Sequence, residues 1–416
     1  MTVNIREHGA LQGARVLFLS PRQCWPALSG AKLREYHFLR ALGRRAELSY
    51  VYFASHGEKP LTTDDLPLCR RIVCVPKPPA YNPWKLVCGV LGRWPLSVLN
   101  YTSTEMTSAL TQLLAVSDYD LFHVDGIHMY RYVDPLVRAA QSVPRVVYNW
   151  HNIESEAMRR YAATINSRAR RLYARQTAAK IEVLERRILK TACGHIVCSE
   201  RERTQLCRIA STARIAVVEN GVDTAHFGGS DHGESTAKRI VFVGLMDYYP
   251  NVEGAVSFGN RIWPRLRERL PGMIFTIVGA NPTPAVLALK AIAGIEVTGT
   301  VPDVRPYYRD ALAAIVPLRT GGGTRLKALE AMAAGVPVIS TELGAEGLAV
   351  TPEKNILIAD AEDHEAWLRH LTRLAEFPGW RRQITTAATE LVRARYDWEI
   401  IGEKLSQIYE EWLQKV

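Results

Sequence analysis

Apolar residues in this chain gather into short, strand-length runs separated by longer stretches in which they recur every three or four positions. In the first half the runs are RVLFLS (15–20), LSYVYFAS (48–55), RIVCVP (71–76), LFHVDG (121–126), RVVYNW (145–150), HIVCS (195–199) and IAVVEN (215–220), with a helix predicted from Ala31. Parallel strands need crossover connections, so this alternation predicts a parallel sheet wrapped by helices. The Gly/Ser-rich, weakly apolar stretch FGGSDHGEST (227–236) then reads as a linker. After it the pattern restarts: RIVFVG (239–244), a helix near 252–270, MIFTIVG (273–279), a helix near 284–292, IEVTGT (295–300), AAIVPL (313–318), a helix near 324–334 and PVIST (337–341).

Two open sheets joined by a linker predict an α/β protein of two Rossmann-like domains facing across a cleft. The first is expected over 1–222 and the second over 223–385. Helices over 386–416, with Trp398 and Trp412 among their apolar positions, are expected to pack back toward the first domain. In such sheets ligands sit beyond the carboxyl ends of the strands, where Gly-rich turns and helix N-termini offer N–H groups to phosphate. One sheet is therefore expected to bind a nucleotide and the other a second substrate.

Composition changes this little: 47% hydrophobic and 23% charged residues suit an ordinary globular protein. A formal net charge of +10 suggests an acidic partner, whether nucleic acid, a nucleotide ligand or an anionic membrane surface. Nucleic acid drops out for want of a helix-turn-helix signature, an RNP-like aromatic strand or finger spacing. Seven cysteines without a C-x-x-C pair suit free thiols in a reduced compartment rather than a zinc site. No apolar stretch approaches the ~18–20 residues needed to span a bilayer, and Glu7 and His8 stand where a signal peptide would be apolar. A cytoplasmic protein is expected.

The segment TGGGTRLKALEAMAAGVPVIST (320–341) sets a Gly-rich loop before a helix carrying Glu, followed by a buried strand. It resembles the donor-site motif of family-4-like bacterial glycosyltransferases. VENGVD (218–223) is similar to that family's interdomain Asn-Gly-Val-Asp turn, and VYNWHNIES (147–155) to its N-domain strand ending at His. NPTPAVLALKAIAGIEVTGTVPDVRPY (281–307) is similar to exopolysaccharide-associated members, and the motifs keep the family order across roughly 15–385. The resemblance implies a GT-B fold and transfer of a sugar, a hexose, with retention from a nucleoside-diphosphate sugar, with no metal and no other cofactor. The D-x-D triplet Asp118-Tyr119-Asp120 is of a type that holds a donor-site metal in the other large glycosyltransferase fold. Here it precedes a strand and reads as loop punctuation.

By the same resemblance, Glu330 accepts hydrogen bonds from both ribose hydroxyls, a task suited to a carboxylate one to two turns inside the donor-loop helix. Gly321, Gly322, Gly323 and Thr324 form the donor loop, whose glycines let a ligand approach the backbone. Gly30, in the loop after the first strand, approaches the donor phosphates, and Asn220 and Gly244 complete the donor-binding set. His151 is expected to face the donor sugar, with the following helix capped by Asn152 and carrying Glu154 and Glu156 in its first turn. The mechanism implied is same-face attack by the acceptor with the leaving diphosphate as base, so that the protein mainly stabilises phosphate charge. Two positions depart from the family. Gly322, eight before Glu330, stands where a second acidic residue is common, and GLMDYYPN (244–251) lacks the usual Arg and Lys. Lys327, on nearly the same helix face as Glu330, and Arg325, nearer the helix start, are the expected replacements at the diphosphate.

Between Ala157 and Lys190 ten Arg and Lys stand against Glu182 and Glu185, while Met158, Tyr161, Ile165, Leu172, Tyr173, Ile181, Leu184 and Ile188 recur at near-helical spacing. This segment is expected to dock peripherally on an anionic membrane, at the inner face of the plasma membrane. Its position just after His151 suggests a lipid-linked saccharide acceptor, with Trp84 and Trp94 offering apolar surface. Two other classes stay open: a nucleotide-sugar 2-epimerase of the same fold and a non-catalytic sugar-nucleotide-binding protein.

Overall fold

The computed structural model describes residues 10–80, 82–140, 144–165, 167–228, 238–321 and 325–414. Most of the expected linker, from 229, lies outside these, as do Gly322, Gly323 and Thr324 of the donor loop. The chain forms two compact units, Met1–Glu219 with Ile401–Val416, and Asn220–Ile400.

The first unit holds β1 (Arg15–Ser20), β2 (Glu47–Ala54), β3 (Cys69–Pro76), β4 (Leu121–Asp125), β5 (Arg145–Asn149), β6 (Gly194–Val197) and β7 (Ile215–Val217). They pair in the order β3-β2-β1-β4-β5-β6-β7, parallel throughout. The second unit holds β8 (Arg239–Val243), β9 (Ile274–Val278), β10 (Ile295–Val297), β11 (Ala311–Val316), β12 (Val338–Ser340) and β13 (Leu357–Ile358), in the order β10-β9-β8-β11-β12-β13 and also parallel. Both are Rossmann-like sheets, as the apolar runs predicted. Helices cover both faces, so β4 and β11 are buried at every residue; β11 is an unbroken apolar run, while β4 also buries the polar His123 and Asp125. The sequence pattern did not reveal β13, which has only two residues and thus no period to read.

In each sheet the strand order reverses beside the first strand, between β1 and β4 and between β8 and β11. Helices leave to opposite faces there and open a crevice at the carboxyl ends of the strands.

Local chemistry sets several boundaries. Ser29 caps the helix Gly30–Gly43 by accepting from Lys32 N, so the helix starts one residue before the expected Ala31. The helix after His151 runs Glu154–Thr164, with Ile153 and not Asn152 at its N-cap and with no side-chain cap bond. Its free N-terminal amides find a different acceptor: Ser155 N donates to Glu185 at 3.0 Å, from the helix Arg168–Thr191. Glu154 and Glu156 do lie in the first turn.

In Arg168–Thr191 the residues Ile181, Leu184 and Ile188 enter the core, so its regular apolar face packs on the sheet, leaving Leu172 exposed. From Ile401 the C-terminal helix Trp398–Gln414 belongs to the first unit. Trp412 lies against Gly194, where a Cβ would come within 2.3 Å of the indole, so only glycine admits the ring. Tyr409 bonds His123 Nδ1 at 2.5 Å, and His123 stacks on Phe18 with centroids 4.0 Å apart.

Candidate functional site

Each switch point carries a polar cluster. In the first unit β1, β4 and β5 end on Ser20, Asp125 and Asn149, each wholly buried, and His151 follows two residues later. The helix Gly30–Gly43 lays Arg34 and Glu35 over these strand ends. Ser20 Oγ donates to Glu35 at 2.6 Å, Arg22 Nε meets Glu35 at 3.0 Å, and Asn149 Nδ2 donates to Asp125 at 2.6 Å. Arg34 forks onto Asn149 Oδ1 at 3.0 and 2.9 Å and onto the carbonyls of Val218 and Glu219. His151 Nε2 lies 2.8 Å from Asp125 and 3.9 Å from Glu35.

Burial raises the Glu35 carboxyl well above its usual range, and Asp125 adds to the rise. Burial also acts to raise Asp125, but His151 and Arg22 outweigh it and hold that carboxyl below the ordinary range. Burial lowers His151, against the attraction of Asp125. Hence Asp125 keeps the negative charge, His151 Nε2–H donates to it, and Nδ1 is left as an acceptor. The ligand atoms of Glu35, Asp125 and His151 all lie within 4.8 Å of one another, close enough for a metal. The Arg22 guanidinium, 3.0 Å from Glu35 and 3.9 Å from Asp125, already supplies positive charge there and would repel a cation.

Gly30 is the first residue of its helix and not a loop residue, so an anion reaching it would meet a helix N-terminus. Asn220 opens the second unit almost fully buried, and Gly221 beside it abuts Trp398. Asp120, of the D-x-D triplet, accepts from Arg15 N at 2.8 Å and so fastens the start of β1.

In the second unit Gly244 directly follows β8, and β11 leads through Gly321, at φ +99°, to the helix Leu326–Ala333. Lys327 projects from this helix over the Phe242 ring, 4.8 Å from its centroid, and donates to Asn251 Oδ1 at 2.5 Å. Protein surrounds most of its length, and burial lowers the amine to about 7, with Arg325 adding and Glu330 opposing. Burial raises Glu330 to about 7, Lys327 opposing. Both side chains nevertheless keep some exposed surface. Arg325 holds the N-cap position, is 4% exposed and lies 3.5 Å from Glu346. Gly244, Lys327 and Glu330 therefore gather at one switch point, while Arg325 faces a carboxylate.

Arg22, Arg34, Glu35, Asp125, Asn149 and Asn251 were not foreseen. Asp125 and Asn149 had a signal: each is the polar residue that closes an apolar run at a carboxyl strand end, where ligands sit. Arg34 and Glu35 had none, because a charged pair on a helix reads as solvated surface.

Residues 36–226 match the family described as Glycosyltransferase Family 4, and residues 237–376 match Glycosyl transferases group 1. Glycogen synthase of Mycobacterium tuberculosis is 22% identical over 244 residues, 55% of this chain and 57% of that protein. The chain thus spans little more than half the length of this curated relative. Sucrose-phosphate synthase from Thermosynechococcus elongatus superposes with a TM-score of 0.70 at 18% identity, covering 96% of this chain and 98% of that one. The Anabaena protein Alr3699/HepE, solved with UDP and glucose, gives 0.65 at 13% identity, covering 96% and 100%.

Proposed function

Because the chain belongs to the GT-B glycosyltransferases, family 4 in its first half and group 1 in its second, we propose that it is a retaining, metal-independent transferase. It moves a hexose from a nucleoside-diphosphate sugar to a saccharide in cell-surface polysaccharide synthesis. The observation that carries this is the second switch point, where Glu330 and Lys327 stand at one strand end beside Gly244. Glu330 takes the ribose hydroxyls and Lys327 the diphosphate, whose charge grows as the glycosidic bond breaks. Gly321 and Arg325 border that site, the family resemblance adds 322–324 to the donor loop, and Gly30 and Asn220 are further proposed donor contacts. His151, oriented by Asp125, offers Nδ1 to a sugar hydroxyl. A neighbour of this fold carries UDP and glucose, which supports a uridine donor.

A panel of nucleoside-diphosphate sugars with saccharide acceptors, run with and without EDTA, tests the assignment. Transfer that survives EDTA, with the donor's anomeric configuration kept in the product by NMR, is the expected result. Conversion of UDP-GlcNAc to its epimer without acceptor would identify an isomerase instead.

The acceptor is proposed to be lipid-linked, presented at an anionic membrane surface to 157–190. Arg168, Arg170 and Arg175 are exposed, and the neighbouring helix Pro83–Leu91, held by Lys180 Nζ on Gly89 O at 2.7 Å, exposes Trp84, Val87 and Leu91. No helix of the described residues is long and apolar enough to cross a membrane. Salt-sensitive co-sedimentation with anionic and not neutral vesicles is expected.

A further inference from the structure

We propose that Asn251 is a positioning residue: it draws the Lys327 ammonium onto the Gly244 turn and aims it at the donor diphosphate, orienting the charge without neutralising it. The inference rests on the assignment of Lys327 to the donor and adds how this chain manages without a cation on the loop after β8.

The segment Gly244–Asn251, a loop that runs into the helix Tyr249–Ser257, has Asp247 as its one charged side chain, and Asp247 is occupied with Asn281 Nδ2 at 2.9 Å. Asn251, in the first turn of that helix, is 5% exposed and is fixed at both ends of its amide. Nδ2 donates to Leu245 O at 2.9 Å, and Oδ1 accepts from Lys327 Nζ at 2.5 Å. Gly244 makes room for the pair. A Cβ there would lie 2.6 Å from Asn251 Nδ2 and 3.2 Å from Lys327 Nζ, so the ammonium rests on bare backbone at the carboxyl end of β8.

An ammonium has three N–H donors, and among the described residues Asn251 is the one acceptor that Lys327 meets. The Phe242 ring covers another side of the amine. A cation largely enclosed by protein, held by one neutral acceptor rather than by a carboxylate, gains strongly from an incoming anion. The charged groups near Lys327 are Arg325 and Glu330 on its own segment, with Tyr308 facing Glu330 from the helix Arg305–Arg309. Asn251 itself is neutral. An aspartate at 251 would form an ion pair with Lys327 and cancel the charge that a diphosphate needs, whereas an amide fixes direction and leaves the charge free.

The Asn251→Asp variant separates positioning from a purely structural role, because it drives two observables in opposite directions. The Lys327 amine is titrated in the nucleotide-free protein from the pH dependence of its acetylation by acetic anhydride, read by mass spectrometry. The expected result is an upward shift of about one unit or more relative to the native protein. UDP binding, measured by calorimetry at pH 8, should nonetheless weaken about tenfold, although more of the lysine is charged. Asn251→Ala should weaken UDP binding by a similar factor at pH 6, where the native lysine is charged. Thermal melts of each variant confirm folding. An unshifted Lys327 titration in Asn251→Asp, or native UDP affinity in Asn251→Ala, overturns the proposal. Failure of the native protein to bind UDP would instead remove the donor assignment, while the titration would still report whether Asn251 holds the lysine.

Discussion

The two switch points share a topology and differ in how their charges are met. At β1/β4 the carboxylates of Asp125 and Glu35 are closed in by Arg22, Ser20, Asn149 and His151, so nearly every polar atom has a partner. At β8/β11 Lys327 leans on one amide and an aromatic face, and Glu330 sits in low-polarity surroundings that raise it to about 7. On the proposed function, the first cluster holds a ring and its proton in place and the second is completed by the donor. One strand order therefore serves both tasks, and side chains at the strand ends decide which.

That contrast can be broken residue by residue. Replacing Lys327 with Met keeps the bulk and removes the incomplete cation, and kcat/KM for transfer should fall by roughly 10²–10³-fold. Steady-state kinetics on a correctly folded protein checks this, and an unchanged value would leave the diphosphate to backbone N–H groups.

At the first switch point, Asp125→Asn unlocks the His151 ring. A misaligned group near the reacting atoms costs about 10²-fold, so kcat should fall by that order. UDP affinity, proposed to rest chiefly on Glu330 and Lys327 in the other unit, should hold. An equal loss of nucleotide binding would mean that the two clusters do not divide the work as described.

Glu330→Gln should weaken UDP binding by about 10–100-fold through loss of a charged acceptor. Its effect on stability has the opposite sign. Glu330 is raised from 4.5 to about 7 in the folded protein, so between those values the native state binds more protons and stability falls as pH rises. Lys327 is lowered from 10.5 to about 7, so above 7 the unfolded state binds more protons and stability rises with pH. The joint contribution of these two groups to stability therefore has its minimum near pH 7, superimposed on that of the buried histidines, and it is read from the difference in melting temperature between the native protein and each variant. The melting temperature of Glu330→Gln relative to the native protein should rise from pH 5 to 7 and stay level above it, as thermal melts of both from pH 5 to 9 would show. The smallest effect expected is for Gly244→Ala, whose methyl displaces the ends of Asn251 and Lys327 and should weaken UDP binding only a few-fold.

Much of the fold was legible because parallel strands covered on both faces are largely apolar along their length, and runs such as RIVFV and ALAAIV announce themselves. Lys327 and Glu330 were legible for a related reason: three residues apart on a helix that follows a glycine loop, they share a face. The first cluster was not, apart from His151, because Glu35 and Arg22 become partners only when a helix and a loop far from β4 in sequence fold over it. The cap of the helix after His151 was missed for the same cause, since Glu185, 30 residues further on, does what Asn152 was expected to do.

The return of the chain end to the first unit also sets an order of events during synthesis. The second unit, Asn220–Ile400, is one uninterrupted stretch and can fold once it has emerged. The first unit begins earlier and cannot finish until Tyr409 and Trp412 arrive to meet His123 and fill the hollow at Gly194. On the ribosome, the unit translated first is therefore completed after the second, and until then its His123–Gly194 side lacks the helix that follows the second unit in sequence.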